Sequence, residues 1–329
     1  MRFITQRFFQ IWMNHSILGL LVLICLAMVF LSDRFLTLAN WANILNNLSI
    51  TGIVSLGVAL VIISGGIDLS FGSILGCCAI LATWLQPQGF WTAIIGTLFL
   101  GATLGGFNGL LVAKIKVNPL ITTLGTQWLF SAVLLILTGG QLVQGIRGDL
   151  FHKIGNGQLA GVPFPIWLFF SMAGITWFIA RYSLIGKHLY AHGSNAQGLR
   201  LSGVNADRIY LVAFILMGLL VAVAGILLSS RLVGVRPTEG RQYLIIVLTA
   251  VLLSGVSLNG GVGSILNVVI AVVVLAVLDN SMVLLGVEYK YQQMIRGLVF
   301  ILSIIYSNQM IRQLSSVKVT RSLFNDSKI

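Results

Sequence analysis

Apolar runs long enough to cross a bilayer recur from residue 17 to residue 308, separated by short polar segments. A hydrocarbon core of about 30 Å takes roughly 20 helical residues to span, and a helix satisfies its own backbone hydrogen bonds where no water is present. The runs lie near residues 17–31, 45–63, 71–86, 91–113, 119–138, 163–182, 209–230, 243–258, 263–285 and 292–308. They predict an all-α polytopic membrane protein with about ten transmembrane helices. Only 9% of the 329 residues are charged and 57% are apolar, far from the roughly one-quarter charged residues of soluble domains. A single membrane domain over 17–308 is expected, flanked by an N-terminal tail (1–16) and a C-terminal tail (309–329).

The formal net charge is +12, but the Lys and Arg residues sit in short loops and tails, where membrane topology explains them better than nucleic acid does. With both termini in the cytoplasm, the inner segments hold Arg2, Arg7, Lys114, Lys116, Arg181, Lys187, Arg200, Arg208, Arg312, Lys318, Arg321 and Lys328, twelve of the twenty basic residues. That orientation places Arg236, Arg241 and Lys290 outside. It also makes the segment from Tyr182 to Arg208 a long inner loop, whose mixed amphipathic and Gly/Asn-broken sequence predicts a short helix along the cytoplasmic face. Such a helix suits either lipid contact or the docking of a soluble partner.

Polar residues inside the apolar runs are the candidates for function. Asp68 lies in ISGGIDLSFGS, where Gly65, Gly66 and Gly72 permit a tight, non-helical path, so a broken or re-entrant segment is expected there. Its carboxylate either caps a helix or meets a ligand. Asp279 and Asn280 interrupt a run otherwise as apolar as any in the chain, and three readings fit: pathway contact, interhelical hydrogen bonding, or proximity to the interface. Asn108 invites the first two. An internal echo relates SGGIDLSFGSIL at 64–75 to SGVSLNGGVGSIL at 254–266.

Other chemistries are disfavoured. Cys25, Cys77 and Cys78 lie in apolar stretches without disulfide or CxxC spacing, and the four histidines form no metal-ligand pattern, so no metal is expected. No catalytic cluster is present, so an enzyme is not expected. The chain has no GxxxxGK[ST] phosphate loop, and any dependence on ATP must come from another subunit.

Five segments occur in one order: VIISGGIDLSFGSILG (61–76), KVNPLITTLGT (116–126), LTGGQ (137–141), LRLSGVNADRI (199–209) and SLNGGVGSIL (257–266). In these the chain resembles the permeases of ribose-, xylose- and galactose-type ABC importers. The resemblance implies a multi-pass protein of the bacterial inner membrane that moves a sugar or sugar-like solute by alternating access. It implies as partners separate cytoplasmic ABC ATPase subunits that carry the ATP, a periplasmic solute-binding protein, and a second copy or a related permease in the bilayer. No cofactor is expected on this chain itself. The inner loop, about 183–208, would couple to the ATPase, with Asn195, Arg200, Ser202, Gly203, Asn205 and Arg208 at the matching positions. Two departures stand out: Leu244 and Ile246 replace acids common in such permeases, and the usual Asn-Asn pair is Asp279 and Asn280. The alternatives are an ATP-independent transporter or facilitator, and a regulatory permease with little transport.

Overall fold

A computed structural model describes the backbone of residues 2–232 and 234–326, and the side chains of residues 17–232 and 234–307. The side chains of the two expected tails lie outside the described residues. The chain is a helical bundle whose helices, in order, are α1 (Arg2–Leu31), α2 (Leu38–Ile63), α3 (Phe71–Leu85), α4 (Phe90–Ala113), α5 (Pro119–Thr138), α6 (His152–Asn156), α7 (Phe164–Tyr182), α8 (Leu184–Leu201), α9 (Ala206–Arg231), α10 (Tyr243–Leu253), α11 (Ile265–Leu284) and α12 (Tyr289–Asp326). Two small antiparallel ladders join loops, β1 (Val143–Gln144) to β4 (Gly234–Val235) and β2 (Gln158–Leu159) to β3 (Val162–Pro163).

Each apolar run corresponds to a helix, but the helices are not equivalent. Among the described residues, six are long and apolar enough to cross a membrane: α2, α4, α5, α7, α9 and α11. The 15 residues of α3 and the 11 of α10 amount to only about 22 and 16 Å at 1.5 Å per residue, short of a full core. The run expected over 243–258 ends as helix at Leu253, because Gly255 and then Gly260 and Gly261 turn the chain with positive φ.

Local sequence explains where helices begin. Thr37 accepts from the Asn40 amide at the start of α2, Asn118 from the Leu120 and Ile121 amides at the start of α5, and Ser183 from Gly186 at the start of α8. Asn205 does the same for α9 and Ser264 for α11. A side-chain oxygen at this position satisfies an amide that the helix itself cannot.

The core is built around α2 and α9. Residues 48–64 of α2 and its C-cap are buried without interruption. Along α9, Gly218 meets Gly101 of α4, each lying where a Cβ would strike the carbonyl oxygen of the other, while Gly105 faces the Phe214 carbonyl and Gly109 faces Leu211 and Phe214. Small residues let two backbones approach where lipid supplies no hydrophobic force between helices. Two ends of the bundle can be distinguished. One carries α8, the ends of α2, α4 and α7, and the starts of α5, α9 and α11. The other carries the two ladders.

Gly218→Leu should separate α4 from α9. Overpacking of this kind costs about 1–3 kcal/mol or more, and a lower melting temperature of the detergent-solubilised protein, followed by size-exclusion chromatography after heating, would register it. Gly19→Leu, at a position with open space around it, should leave that temperature unchanged.

Candidate functional site: a glycine junction and two polar clusters

At the α8 end, the two segments of the internal echo meet. The Ile63 carbonyl, the last of α2, accepts from the Gly261 amide at 2.8 Å. Gly65 has φ +86° and Gly260 φ +81°, and a Cβ on Gly260 would lie 2.7 Å from the Gly65 Cα. Between them enters α8: Gly193 is packed so closely that a Cβ would strike the Ile63 carbonyl and the Gly261 amide. Three stretches of backbone therefore touch at a point where only glycine fits.

Side chains of α8 and α9 fasten this junction. His192 Nδ1 donates to the Ser64 carbonyl at 2.7 Å, a carbonyl being able only to accept, and its ring stacks on Tyr210 with centroids 4.6 Å apart. Burial pushes the His192 pKa below its ordinary value, and the bond to Ser64 opposes that shift. Tyr210 donates to the Gly65 carbonyl (3.3 Å), and Tyr190 to the Gly263 carbonyl (3.0 Å). A groove of about 450 Å³ opens beside them, lined by Lys116, Asn118, His192, Asn195 and Tyr210 among others.

The residues of the inner loop lie on this end. Asn195 leaves helical geometry (φ −161°, ψ 89°), and its Oδ1 accepts from the Gly198 amide at 2.8 Å, so it kinks α8 and caps the second part. Arg200 donates to Asp207 at 2.7 Å, and Lys116 also pairs with Asp207. Ser202 donates to the Leu199 carbonyl, Gly203 turns the chain with φ +84°, and Asn205 caps α9 at Arg208. Leu201, at the tip, is 84% exposed.

Asp68 is fully buried in the segment between α2 and α3. Its Oδ1 accepts from the Ser70 amide and the Ser70 hydroxyl, both at 2.6 Å, and its Oδ2 from Asn108 Nδ2 at 3.2 Å. Asn108 Nδ2 also donates to Ser70 Oγ (2.7 Å), while its Oδ1 has no hydrogen-bond partner among the described residues. The arrangement ties α4 to the first turn of α3. Of the glycines singled out with it, Gly65 turns the chain, Gly66 lies under Tyr210, and Gly72 is inside α3 against the Gly240 carbonyl.

Asp279 and Asn280 belong to a separate cluster toward the ladder end. Asp279 accepts from Arg296 Nε at 2.9 Å. Asn280 and Asn40 exchange amide hydrogen bonds of 2.8 and 3.1 Å. Asp279, Asn280 and Arg296 line a cavity of about 320 Å³ with Asn47, Thr51, Ile246 and Val272. Reasoning from sequence singled out Asp279 and Asn280 but not Arg296 or Asn40, which stand 17 and 240 residues away from their partners. His192, Gly193 and Tyr210 were also missed, although the echo of the two glycine segments was a signal that something must lie between them.

Asp68→Ala should leave the Ser70 amide and the Asn108 amide group buried without their acceptor, at about 1–3 kcal/mol each. Asp68→Asn retains an acceptor toward Ser70 and should lose much less. Thermal stability of the purified chain, measured for both variants, checks the order.

Residues 40–304 match the family described as branched-chain amino acid transport system, permease component. The ribose import permease protein RbsC of Escherichia coli (strain K12) is 36% identical over 313 residues, 92% of this chain and 97% of that protein. The L-arabinose transport system permease protein AraH of the same strain is 32% identical over 301 residues, 91% of this chain and 92% of that protein. The autoinducer 2 import system permease protein LsrC of Escherichia coli (strain K12 / DH10B) is 32% identical over 302 residues, 90% of this chain and 88% of that protein. No solved structure matches the chain. With the apolar helices described above, these likenesses make the protein a multi-pass membrane transport subunit, and the chain belongs to this family of transport-system permease components.

Proposed function

We propose that the chain is the transmembrane permease subunit of an ATP-driven ABC importer that admits a sugar or sugar-like solute to the cytoplasm. The observation that carries this reading is likeness to a ribose import permease over 92% of the chain. The family's description mentions branched-chain amino acids, whereas the relatives described above, which the chain matches over most of their length, are named for ribose, arabinose and autoinducer 2.

In this reading residues 17–308 form one permease domain with both termini in the cytoplasm and ten crossings, and the two short helices, α3 and α10, are completed by the non-helical stretches next to them. The break at 64–70 is then a broken helix, tolerated because protein rather than lipid surrounds it. The α8 end faces the cytoplasm, consistent with the basic residues Lys114, Lys116, Lys187, Arg200 and Arg208 gathered there. ATP is bound and hydrolysed on a separate ATPase subunit that docks on the loop about 183–208, with Asn195, Arg200, Ser202, Gly203, Asn205 and Arg208 shaping that surface. A periplasmic binding protein delivers solute at the ladder end, and a second permease copy or a related one forms the other wall of the passage.

The junction gives this scheme a physical route. Movement of α8 is felt directly by both helix breaks, because Gly193 has no side chain to yield and touches both backbones. ATP and the loaded binding protein must favour different arrangements of these helices, since a ligand with equal affinity for both shifts nothing. Asp68 and Asn108 hold α3 to α4 during that change. Asp279 and Asn280, in the cavity near the ladder end, meet the entering solute or the water around it.

The permease, the ATPase and the binding protein encoded beside it, reconstituted together in proteoliposomes, should take up one radiolabelled sugar only when all three and ATP are present. Uptake that persists without the ATPase and collapses with an ion gradient would sink the importer reading. Arg208→Glu, at the exposed start of α9, should reduce copurified ATPase by about tenfold, equivalent to about 1.4 kcal/mol, with an unchanged yield of permease.

A further inference from the structure

Between β4 and α10 the chain does not stay at the ladder end. Val235 is paired there with Val143, but Pro237 and Gly240 then lie along α3: a Cβ on Gly76 would be 3.3 Å from the Pro237 carbonyl oxygen, and one on Gly72 would be 3.1 Å from that of Gly240. Gly72 is in the first turn of α3, far from the ladders. The guanidinium of Arg241 sits 5.6 Å from the centroid of the Trp128 ring. Trp128 is the tenth residue of the 20-residue helix α5, about 13 Å along it at 1.5 Å per residue. The short α10 starts only after this descent, and the segment that follows it reaches Ile63 at the α8 end.

The stretch RPTEGRQ (236–242), which the sequence places in an outer loop, therefore runs into the depth of the helices. Arg241, Gln242 and Trp128 are exposed there, Trp128 to 67%, and Gln242 Nε2 donates to Glu239 Oε1 at 2.9 Å. A break between α-helices, here a loop and a short 3-10 turn over Glu239–Gln242, and an exposed arginine at such depth are tolerated only against protein or a water-filled passage, not against lipid. The residues also form a recognisable chemical set. An indole offers a broad apolar face, the guanidinium held over it offers several N–H donors, and Gln242 and Glu239 offer acceptors, with Glu239 offsetting the charge of Arg241.

We propose that Trp128 and Arg241, with Gln242 and Glu239 beside them, form a solute-contact site midway along the passage, one half-site on each permease copy, suited to a neutral polyhydroxylated solute. The apolar C–H face of such a solute would lie on the indole while its hydroxyls bond to the guanidinium, amide and carboxylate. This inference rests on the importer reading for its substrate, but the wetness of the site does not depend on that reading.

Two measurements separate them. In a background with Cys25, Cys77 and Cys78 changed to alanine, Trp128→Cys and Arg241→Cys in the assembled complex in membranes should react with a water-soluble maleimide. Phe99→Cys, at a position 74% exposed on α4, should not. Failure of both site cysteines to react overturns the proposal whatever the transport result. In proteoliposomes with ATPase and binding protein, Trp128→Ala and Arg241→Gln should each lower sugar uptake at least about tenfold with saturating loaded binding protein. ATP hydrolysis and copurification of the ATPase should stay unchanged, and Trp128→Phe should keep most of the uptake. Wild-type uptake by both variants overturns the solute-contact role, and uptake of an amino acid in place of any sugar overturns the assigned class. A wild-type complex that moves no solute, while both cysteines label, overturns the importer reading and the solute assignment together, leaving a water-lined site.

Discussion

A single backbone hydrogen bond, from the Gly261 amide to the Ile63 carbonyl, marks the constraint on which the rest of the structure depends. In a hydrocarbon surrounding, a helix that stops must hand its last carbonyls to another part of the protein, because no water is there to accept the task. Here α2 stops at Ile63 and the segment after α10 supplies the donor. That one helix break satisfies another explains why both are glycine-rich, and why neither could be displaced without exposing unpaired backbone groups.

The third party to this contact is α8. A short helix lying on the end of a bundle is ordinarily held by side chains, which can slip past one another. Gly193 is instead in backbone contact with both breaks, while His192 and Tyr190 each bond to a carbonyl of one of them. Any displacement of α8 therefore loads the points where α2 and α11 are weakest as helices. Bundles with two alternative packings need discrete contacts of this kind, since close-packed interiors do not deform continuously.

Polarity within the bundle is divided along its length. The Asp68 cluster, near α8, is fully buried and knits α3 to α4. Asp279, Arg296 and Asn280, toward the ladder end, border a cavity. Arg241 and Trp128 lie between these levels.

Much of the fold was legible without coordinates, since ten apolar runs each became a helix. Hydropathy reads length and apolar content, and both are properties of consecutive residues. It could not tell that α10 is half-length, because the apolar run of 243–258 continues past Leu253 while its helix does not. Nor could it bring Asn40 to Asn280, Arg296 to Asp279, or His192 to Ser64, pairs whose partners are far apart in the chain or in different helices. By itself the sequence determined that this is a helical membrane protein, because a bilayer admits few other solutions for such apolar runs. Only the tertiary structure decided which polar groups meet and that residues 236–242 descend along α3, because close approach of glycine backbones is a property of two segments together and is written in neither alone.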